Sequence, residues 1–412
     1  MLGLAAALAV ALALTLAGCG GDAAPRGDRI AGRRLTIYTS LPFLGPSAAS
    51  AEATLAGERM ALAAHAGRVG RYRIALAPLD DATVSGGGWD PGQTNANARL
   101  AVRDPTTIGY LGDLNSGASA VSIPLLSRAG IPQISPTSTA VGLTSGGPEA
   151  EPGEPQKYYP TMRRTFARVV PSDRVQAAVQ VALQRAAGCR RTYVLQDPEV
   201  DGTSEANSFA VAAQAARLPV TGPVQYDPRS ASFGPVATAA AQSGADCVMI
   251  SALDQDGAAA LTEQVARAMP DARLFAGNEL AQRAFYDPAA GGVPASLDGR
   301  LTMTVATLSI GDYPPAGRRF FHAYARRYGA WQPDAIFGYE AMSLMLDAIS
   351  RATRDGRGAA RRSRVIHRIF ATRDRRSVLG TYSIDSDGDT TLHAYGVYHV
   401  RDGRLVFAGA IG

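Results

Sequence analysis

Apolar residues follow two alternating patterns along this chain. Short, nearly unbroken apolar runs predict buried strands at residues 35–39, 72–79, 107–111, 132–135, 165–170, 192–196, 220–226, 247–251, 273–275, 301–306, 380–384 and 394–407. Longer segments with a helical apolar period predict helices at residues 48–66, 94–102, 116–128, 173–188, 204–217, 233–243, 257–268 and 315–350, the last one broken near residue 332. This alternation predicts an α/β fold with parallel sheets, because parallel neighbours need a crossover connection.

The alternating pattern forms two successive units. At 412 residues the chain is longer than a single hydrophobic core usually supports. One strand–helix series ends near residue 169, and a second series of similar order begins near residue 192. We therefore predict two doubly wound parallel-sheet lobes, the first built from residues 33–169 and 306–380 and the second from residues 170–305 and 381–412.

The N-terminal segment has the composition of an export signal. Residues 1–18 are almost wholly apolar and end in small residues, which is typical of a secretory signal peptide. Leu16-Ala-Gly-Cys19 resembles the lipobox of bacterial lipoproteins, which implies cleavage before Cys19, a lipid on its sulfur and a tether at residues 19–32. No basic residue precedes Leu16, unlike in most signal peptides, and a transmembrane anchor is the alternative. Either interpretation predicts an extracytoplasmic protein that is held at the membrane.

Two further cysteines lie at the beginnings of predicted strands. Cys189 precedes the strand at residues 192–196, and Cys247 opens the strand at residues 247–251. An even pair in an exported protein favours a disulfide. Two buried free thiols are the alternative.

Several function classes lack their sequence signals. The basic stretch at residues 351–376 contains only one aromatic residue, Phe370, so no nucleic-acid partner is expected. The five histidines are scattered, and Asp385-Ser-Asp-Gly-Asp389 lacks the glutamate that completes a calcium loop. The chain has no Gly-x-Ser-x-Gly motif of a hydrolase nucleophile. We therefore expect no metal, no cofactor and no enzymatic activity.

Two predicted strands end in small and hydroxyl-bearing residues. Gly112-Asp-Leu-Asn-Ser-Gly117 follows the strand at residues 107–111 and opens a helix, and Ser135-Pro-Thr-Ser-Thr139 ends the next strand. Backbone N–H groups at a helix start can hold an anion, and the hydroxyls of Ser116, Thr137 and Thr139 can add donors. The sequence therefore predicts a pocket for a small polar ligand. Helix capping by Ser116 and a self-bonded turn at the threonines are the alternatives.

The order of these motifs resembles the branched-chain amino-acid receptor family of ABC transporters, which are type I periplasmic substrate-binding proteins. The segments that carry the resemblance, over residues 33–410, are Leu44-Gly-Pro-Ser-Ala48, Gly112-Asp-Leu-Asn-Ser-Gly117, Gly130-Ile-Pro-Gln-Ile-Ser-Pro-Thr-Ser-Thr139, Val169-Val-Pro-Ser-Asp173, Phe275-Ala-Gly-Asn-Glu279 and Ala330-Trp-Gln-Pro-Asp-Ala335. The resemblance implies two lobes joined by a three-segment hinge, with a ligand enclosed between them and a permease as partner. It also implies a carboxylate site at Ser116, Thr137 and Thr139, with Asn115 in the same turn, and an ammonium site at Glu279.

The chain departs from the family pattern at three positions. Asp201 and Asp254 stand where the family often has aromatic residues that pack on the ligand, and Ser50 replaces a bulky pocket residue. All three are candidate ligand contacts. Two carboxylates in place of two aromatic rings suggest a ligand that is more polar or more cationic than leucine.

We therefore expect a lipid-anchored extracytoplasmic receptor that delivers an amino acid, or a related small polar amine or amide, to an ABC permease. A ligand-binding sensory module of the same fold, signalling to a membrane partner, is the alternative function.

Overall fold

The computed structural model describes residues 27–253, 255–330 and 332–412. The predicted signal peptide, Cys19, most of the predicted tether and Asp254 lie outside the described residues. In the described part of the chain, two sheets with separate hydrophobic cores form two lobes. The predicted α/β fold with two parallel-sheet lobes is confirmed.

The sheet of the first lobe has six strands. The strands of this lobe, in which β4 and β5 form a small separate hairpin, are β1 (Arg34–Leu41), β2 (Arg68–Val69), β3 (Tyr72–Asp80), β4 (Ala82–Thr83), β5 (Gly88–Trp89), β6 (Thr107–Leu111), β7 (Gln133–Ser135) and β8 (Phe166–Arg168). Their order in the sheet is β2-β3-β1-β6-β7-β8, and all neighbours except β2 and β3 are parallel. Every residue of β6 is buried, as expected for a strand covered on both faces.

Three helices connect these strands. They are α1 (Ala48–Ala64), α2 (Pro91–Arg103) and α3 (Ser116–Arg128). Four residues separate the end of β6 from the start of α3, so the N-terminus of α3 lies at the carboxyl edge of the sheet. Doubly wound sheets bind their ligands at this edge.

The sheet of the second lobe has seven strands. The strands in the second half of the chain, in which β14 and β15 form a small separate hairpin, are β9 (Thr192–Gln196), β10 (Val220–Gln225), β11 (Cys247–Ser251), β12 (Arg273–Ala276), β13 (Leu301–Val305), β14 (Arg375–Arg376), β15 (Thr381–Tyr382), β16 (Tyr395–Arg401) and β17 (Arg404–Ile411). The sheet order is β10-β9-β11-β12-β13-β16-β17. The last two strands are antiparallel, and they form a hairpin where the sequence predicts one strand.

Five helices belong to the second lobe: α4 (Asp173–Ala186), α5 (Val200–Ala215), α6 (Gly234–Gln242), α7 (Gln255–Ala268) and α8 (Arg283–Tyr286). Helix α5 begins four residues before its predicted start. Oδ1 of Asp197 accepts a hydrogen bond from the backbone N–H of Glu199 at 3.1 Å, which turns the chain directly into the helix. The first turn requires glycine at position 202, because a Cβ there would overlap the Asp197 carboxylate. Asp201 therefore lies in the first turn of α5 and not in a loop.

The chain then returns to the first lobe through α9 (Pro315–Tyr328), α10 (Ala335–Thr353) and α11 (Arg362–Phe370). Helices α1 and α10 pack backbone to backbone at Gly57. A Cβ at this position would overlap the carbonyl of Ala335. The final crossing lies later than the predicted boundary at residue 381. Tyr382 and Ile384 are buried in the first lobe's core, and the Tyr382 hydroxyl donates to Glu340 in α10 at 2.8 Å.

Cys189 and Cys247 form a disulfide in the second lobe, with their Cα atoms 5.8 Å apart. This is the pair that the sequence favours. The bond joins the segment before β9 to the first residue of β11, its neighbour in the sheet. Among the helices of the described ranges, none has both the length and the apolar character required to cross a membrane.

Candidate functional site

The carboxyl ends of the two parallel sheets face each other across a cleft. In the first lobe, this edge carries the N-terminus of α3 and residues 135–140, hereafter the 135–140 loop. In the second lobe, it carries the N-terminus of α5 and the segment 277–282 that follows β12. Hydrogen bonds between backbone N–H groups and side chains, and one between two side chains, connect these four segments. The predicted meeting of small polar residues at one sheet edge is therefore present in the structure.

The 135–140 loop is held in a fixed shape by hydrogen bonds from within the first lobe. The hydroxyl of Ser135 accepts from the backbone N–H groups of Thr137 and Ser138 at 3.2 and 2.8 Å. The guanidinium of Arg168 donates to the carbonyls of Ser138 and Ala140 at 3.1 and 2.8 Å. Arg168 is fully buried and also pairs with Asp389 at 2.8 Å. Sequence reasoning missed this arginine, because it reads as one residue of an ordinary strand.

A second buried network supports the turn between β6 and α3. Nε2 of Gln133 donates to the carbonyl of Gly112 at 3.0 Å and to the hydroxyl of Ser122 at 2.8 Å. Ser122 in turn donates to the carboxylate of Asp113. Burial raises the pKa of Asp113 to about 7, while the hydrogen bond from Ser122 opposes the shift. This network fixes the backbone from which the N–H groups of α3 point into the cleft.

Asp201 of the second lobe is bound to the N-terminus of α3 in the first lobe. Its Oδ1 accepts from the backbone N–H of Ser116 at 2.8 Å, and its Oδ2 accepts from that of Gly117 at 3.3 Å. The carboxylate is 1% exposed. Unsatisfied N–H groups and the helix dipole both favour negative charge at this position. The site predicted for an anion thus holds a carboxylate that belongs to the protein itself.

Further contacts join the lobes, among them the following three. The hydroxyl of Thr139 lies 3.4 Å from Oε1 of Glu279, and the hydroxyl of Ser50 donates to Oε1 of Gln282 at 3.0 Å. The hydroxyl of Ser204 accepts from the backbone N–H of Val141 at 3.0 Å. Together with Asp201, these contacts bring the two lobes together in a closed arrangement.

The hydroxyls predicted for ligand binding have partners within the protein. The Ser116 hydroxyl accepts from the backbone N–H of Ala140 at 3.2 Å, and the Thr137 hydroxyl donates to the carbonyl of Leu114 at 2.6 Å. The Thr137 hydroxyl has therefore used its one proton and can meet a ligand only as an acceptor, whereas the Ser116 hydroxyl keeps its proton in this contact. Ser116 takes part in the contacts of the cleft in two ways: its backbone N–H donates to Asp201, and its hydroxyl accepts from Ala140.

A small cavity of about 20 Å³ remains between the lobes, with room for about one water molecule. Its lining residues are Ser47, Leu114, Asn115, Thr137, Leu253, Asn278, Glu279, Ala281, Gln282, Val305, Pro333 and Asp334. The predicted candidates Asn115, Thr137 and Glu279 thus line one space. Sequence reasoning missed Asn278, Gln282 and Asp334; the first two follow β12 in the same segment as Glu279, which is the signal that could have found them.

The cleft is rich in buried carboxylates. Burial, with the nearby charges of Asp201 and Asp173, raises the pKa of Glu279 well above its usual range. Burial also raises the pKa of Asp173 to about 6 and that of Glu205 to about 8. Hydrogen bonds from Ser116 and Gly117 limit the corresponding upward shift at Asp201. A cation that entered the cleft would be stabilised by this concentration of carboxylates.

The described ranges contain no group of three His, Cys, Asp or Glu side chains arranged to hold a metal ion. One of the buried carboxylates, Glu205, accepts instead from the side-chain amides of Gln176 and Gln180 at 2.9 and 2.7 Å.

A model of the periplasmic binding protein family matches residues 37–404. Among solved structures, the chain is similar to the leucine-binding protein LivK from Thermotoga maritima, with 20% identity over 92% of this chain and 98% of that chain and a TM-score of 0.77. It is also similar to an ABC transporter substrate-binding protein from Desulfitobacterium hafniense in complex with Leu, with 18% identity over 91% and 100% of the two chains and a TM-score of 0.71.

A third similar structure is a solute-binding protein of an ABC transporter from Rhodopseudomonas palustris HaA2 in complex with p-hydroxybenzoic acid, with 16% identity over 91% and 95% of the two chains and a TM-score of 0.73. A comparison with curated proteins gave no significant match. At these identities the structural similarity establishes the fold. Because the family match covers most of the chain and the structural similarity covers both lobes, the chain belongs to the periplasmic binding protein family and has the type I fold of its leucine-binding and branched-chain amino-acid-binding members.

Proposed function

We propose that this protein is an extracytoplasmic receptor, lipid-anchored through Cys19, that delivers an amino acid or a related small polar amine or amide to an ABC permease. The observation that carries the proposal is the cavity shared by the two lobes, in which Asn115 and Thr137 of the first lobe face Glu279 of the second. Family membership supports an extracytoplasmic location and solute binding.

In this proposal Glu279 accepts the hydrogen bonds of a ligand amino group. Asn115, Thr137 and Gln282 surround that group with amide and hydroxyl oxygens. Charge-assisted hydrogen bonds to a buried carboxylate are the strongest polar contacts available to a small amine. The proteins of similar structure bind leucine in one case and p-hydroxybenzoic acid in another, so the fold accommodates ligands of different chemistry.

The cavity of the closed form is smaller than any such ligand, so binding requires the lobes to separate and the residues that line the cavity to move apart when the lobes close again on the solute. A ligand that contacts both lobes stabilises the closed state by the affinity it gains there. Hinge closure of this kind gives a permease a surface that differs between the loaded and the empty receptor. The family relationship favours delivery of the solute to a permease over the alternative function as a sensory module.

The proposal predicts a ligand-dependent rise in melting temperature that depends on Glu279. A panel of L-leucine, L-isoleucine, 4-hydroxybenzoate, putrescine, agmatine and propionamide covers the ligand classes under consideration. A true ligand at 100 times its dissociation constant should stabilise the protein by about 2.7 kcal/mol. The Glu279→Gln variant should bind the same solute at least about tenfold more weakly, because a hydrogen bond to a charged group contributes about 1.5–3 kcal/mol.

Glu52→Gln is the matched control, because Glu52 is an exposed glutamate on α1. The free Glu279→Gln protein should be at least as stable as the original, since the substitution removes a half-buried carboxylate whose pKa is raised in the folded protein. A panel in which no solute shifts the melting temperature, or a ligand whose affinity is unchanged in Glu279→Gln, would refute the proposed site.

A further inference from the structure

The donors at the N-terminus of α3 are occupied by a side chain from the opposite lobe. Helix α3 is 13 residues long, and its N-cap residue Asn115 makes no side-chain capping bond. The backbone N–H groups of Ser116 and Gly117 both donate to the carboxylate of Asp201, which lies 85 residues further along the chain than Ser116. A free carboxylate ligand would use these same two donors, because they are the N–H groups that open the helix.

Asp201 is held in this position by its own lobe. The carboxylate of Asp197 accepts from the backbone N–H groups of Glu199 and Leu253 at 3.1 and 2.7 Å. These bonds fix the turn that leads into α5 and place Asp201 in its first turn. Gly202 allows the close approach of this turn to the Asp197 carboxylate. Asp201 therefore reaches the N-terminus of α3 from a backbone that is held by hydrogen bonds within its own lobe.

The rest of the cavity offers no compensation for a second carboxylate. Among the lining residues that the structure describes, Glu279 and Asp334 are acidic, Asn115, Asn278 and Gln282 are neutral amides, and none is Lys, Arg or His. Two carboxylates that share one buried anion site repel each other, because water screens their like charges poorly there. A zwitterionic ligand would meet this repulsion from Asp201 at its own carboxylate.

We infer that Asp201 acts as a built-in carboxylate at the α3 anion site, and that this receptor therefore selects small amines and amides that lack a carboxylate over amino acids. The inference rests on the proposed function and specifies its ligand class. The amino group of the ligand binds near Glu279, while the position that a ligand carboxylate would take in the first lobe belongs to Asp201. An amino acid should then bind more weakly than the same molecule without its carboxylate.

Three probes test this selectivity because they share one side chain and one amino group. 3-Methylbutylamine is leucine without its carboxylate, and L-leucinamide carries a neutral amide in its place. Calorimetric titration of the original protein should show that the amine and the amide bind at least about tenfold more tightly than L-leucine. In Asp201→Ala, the ratio of the leucine affinity to the amine affinity should rise at least about tenfold, because the N–H donors become free for the ligand carboxylate.

Asp201→Asn provides a second variant of nearly the same volume, and it should shift the ratio in the same direction. Asp271→Ala, an exposed aspartate of the second lobe, should leave the ratio unchanged. Added acetate should compete with leucine in Asp201→Ala but not in the original protein, because only the variant has an empty anion site. A change in general stability would alter all three affinities together and would not create acetate competition.

An original protein that binds leucine as tightly as 3-methylbutylamine, or an Asp201→Ala ratio equal to the original one, would overturn the inference and leave the receptor function standing. The absence of binding for all three probes would also overturn the inference, while binding of another solute from the panel in a Glu279-dependent manner would still support the receptor function. Failure of every solute would refute the receptor function itself.

Discussion

Replacing Arg168 by methionine should lower the free energy of unfolding by about 3–5 kcal/mol, the usual cost of removing one partner of a buried ion pair. Arg168 is fully buried, and its guanidinium bonds Asp389, two carbonyls of the 135–140 loop and the hydroxyl of Thr144. Methionine fills much of the same volume but donates no hydrogen bond. The Ser138 carbonyl and the Thr144 hydroxyl would then lose this donor while buried, and the partly exposed Asp389 carboxylate would lose its ion pair.

Urea unfolding at neutral pH measures this change, and Arg190→Met is the matched control. Arg190 also pairs with an aspartate, Asp246, at 2.9 Å, but its side chain is 87% exposed. Exposed ion pairs contribute about 0–1 kcal/mol, so the control should unfold within about 1 kcal/mol of the original protein. An Arg168→Met variant as stable as Arg190→Met would contradict the structural role assigned to Arg168. The variant should also bind ligand more weakly, because the 135–140 loop loses its anchor.

The stability of the ligand-free protein should fall as the pH rises from about 5 to about 8, partly through Glu58. This side chain is fully buried in α1, where the hydroxyl of Thr39 donates to Oε1 at 2.9 Å. Burial raises the pKa of Glu58 from 4.5 to about 8. A carboxyl whose folded pKa is raised favours folding below its unfolded pKa, and this contribution is lost as the pH rises to the folded value.

Over these three pH units the loss from one such group is on the order of 4 kcal/mol, because one proton contributes about 1.4 kcal/mol per pH unit. Urea unfolding at pH 5, 6, 7 and 8 should show a shallower pH dependence for Glu58→Gln, smaller by up to that one-proton slope. The slope is the informative quantity, because the new amide nitrogen also changes the absolute stability. Glu52→Gln should keep the original slope; an equal slope in Glu58→Gln would contradict the raised pKa.

Much of the fold could be predicted because local pattern and tertiary packing agree. The strands at residues 107–111, 192–196 and 247–251 have the bounds that their apolar runs predict, since each is buried on both faces. The start of α5 was predicted too late. Asp197 and Gly202 determine the earlier start of this helix. In the sequence both residues are typical of a turn, and only the structure shows that a Cβ at position 202 would overlap the Asp197 carboxylate.

The candidate site could be predicted only as a set of residues at strand ends. Asn115 and Thr137 were candidates because parallel strands bring their carboxyl ends to one edge, and Glu279 was a candidate through the resemblance to the receptor family. Asp201 was also identified, but as a ligand contact; its bond to the N-terminus of α3 depends on how the two lobes meet, which no local pattern encodes. Arg168 was missed because its partners lie far away along the chain, and Gln282, whose partner Ser50 is equally distant, could have been found only from its place in the segment of Glu279.

The most direct test of the central claim is a crystal structure of the protein with the solute that stabilises it most strongly in the thermal panel. The account predicts that the solute lies between the lobes, with its amino nitrogen within about 3 Å of the Glu279 carboxylate and with Asn115 and Thr137 on the opposite wall. Asp201 should remain on the N–H groups of Ser116 and Gly117. A solute bound outside this cleft, or one that turns its amino group away from Glu279, would contradict the account.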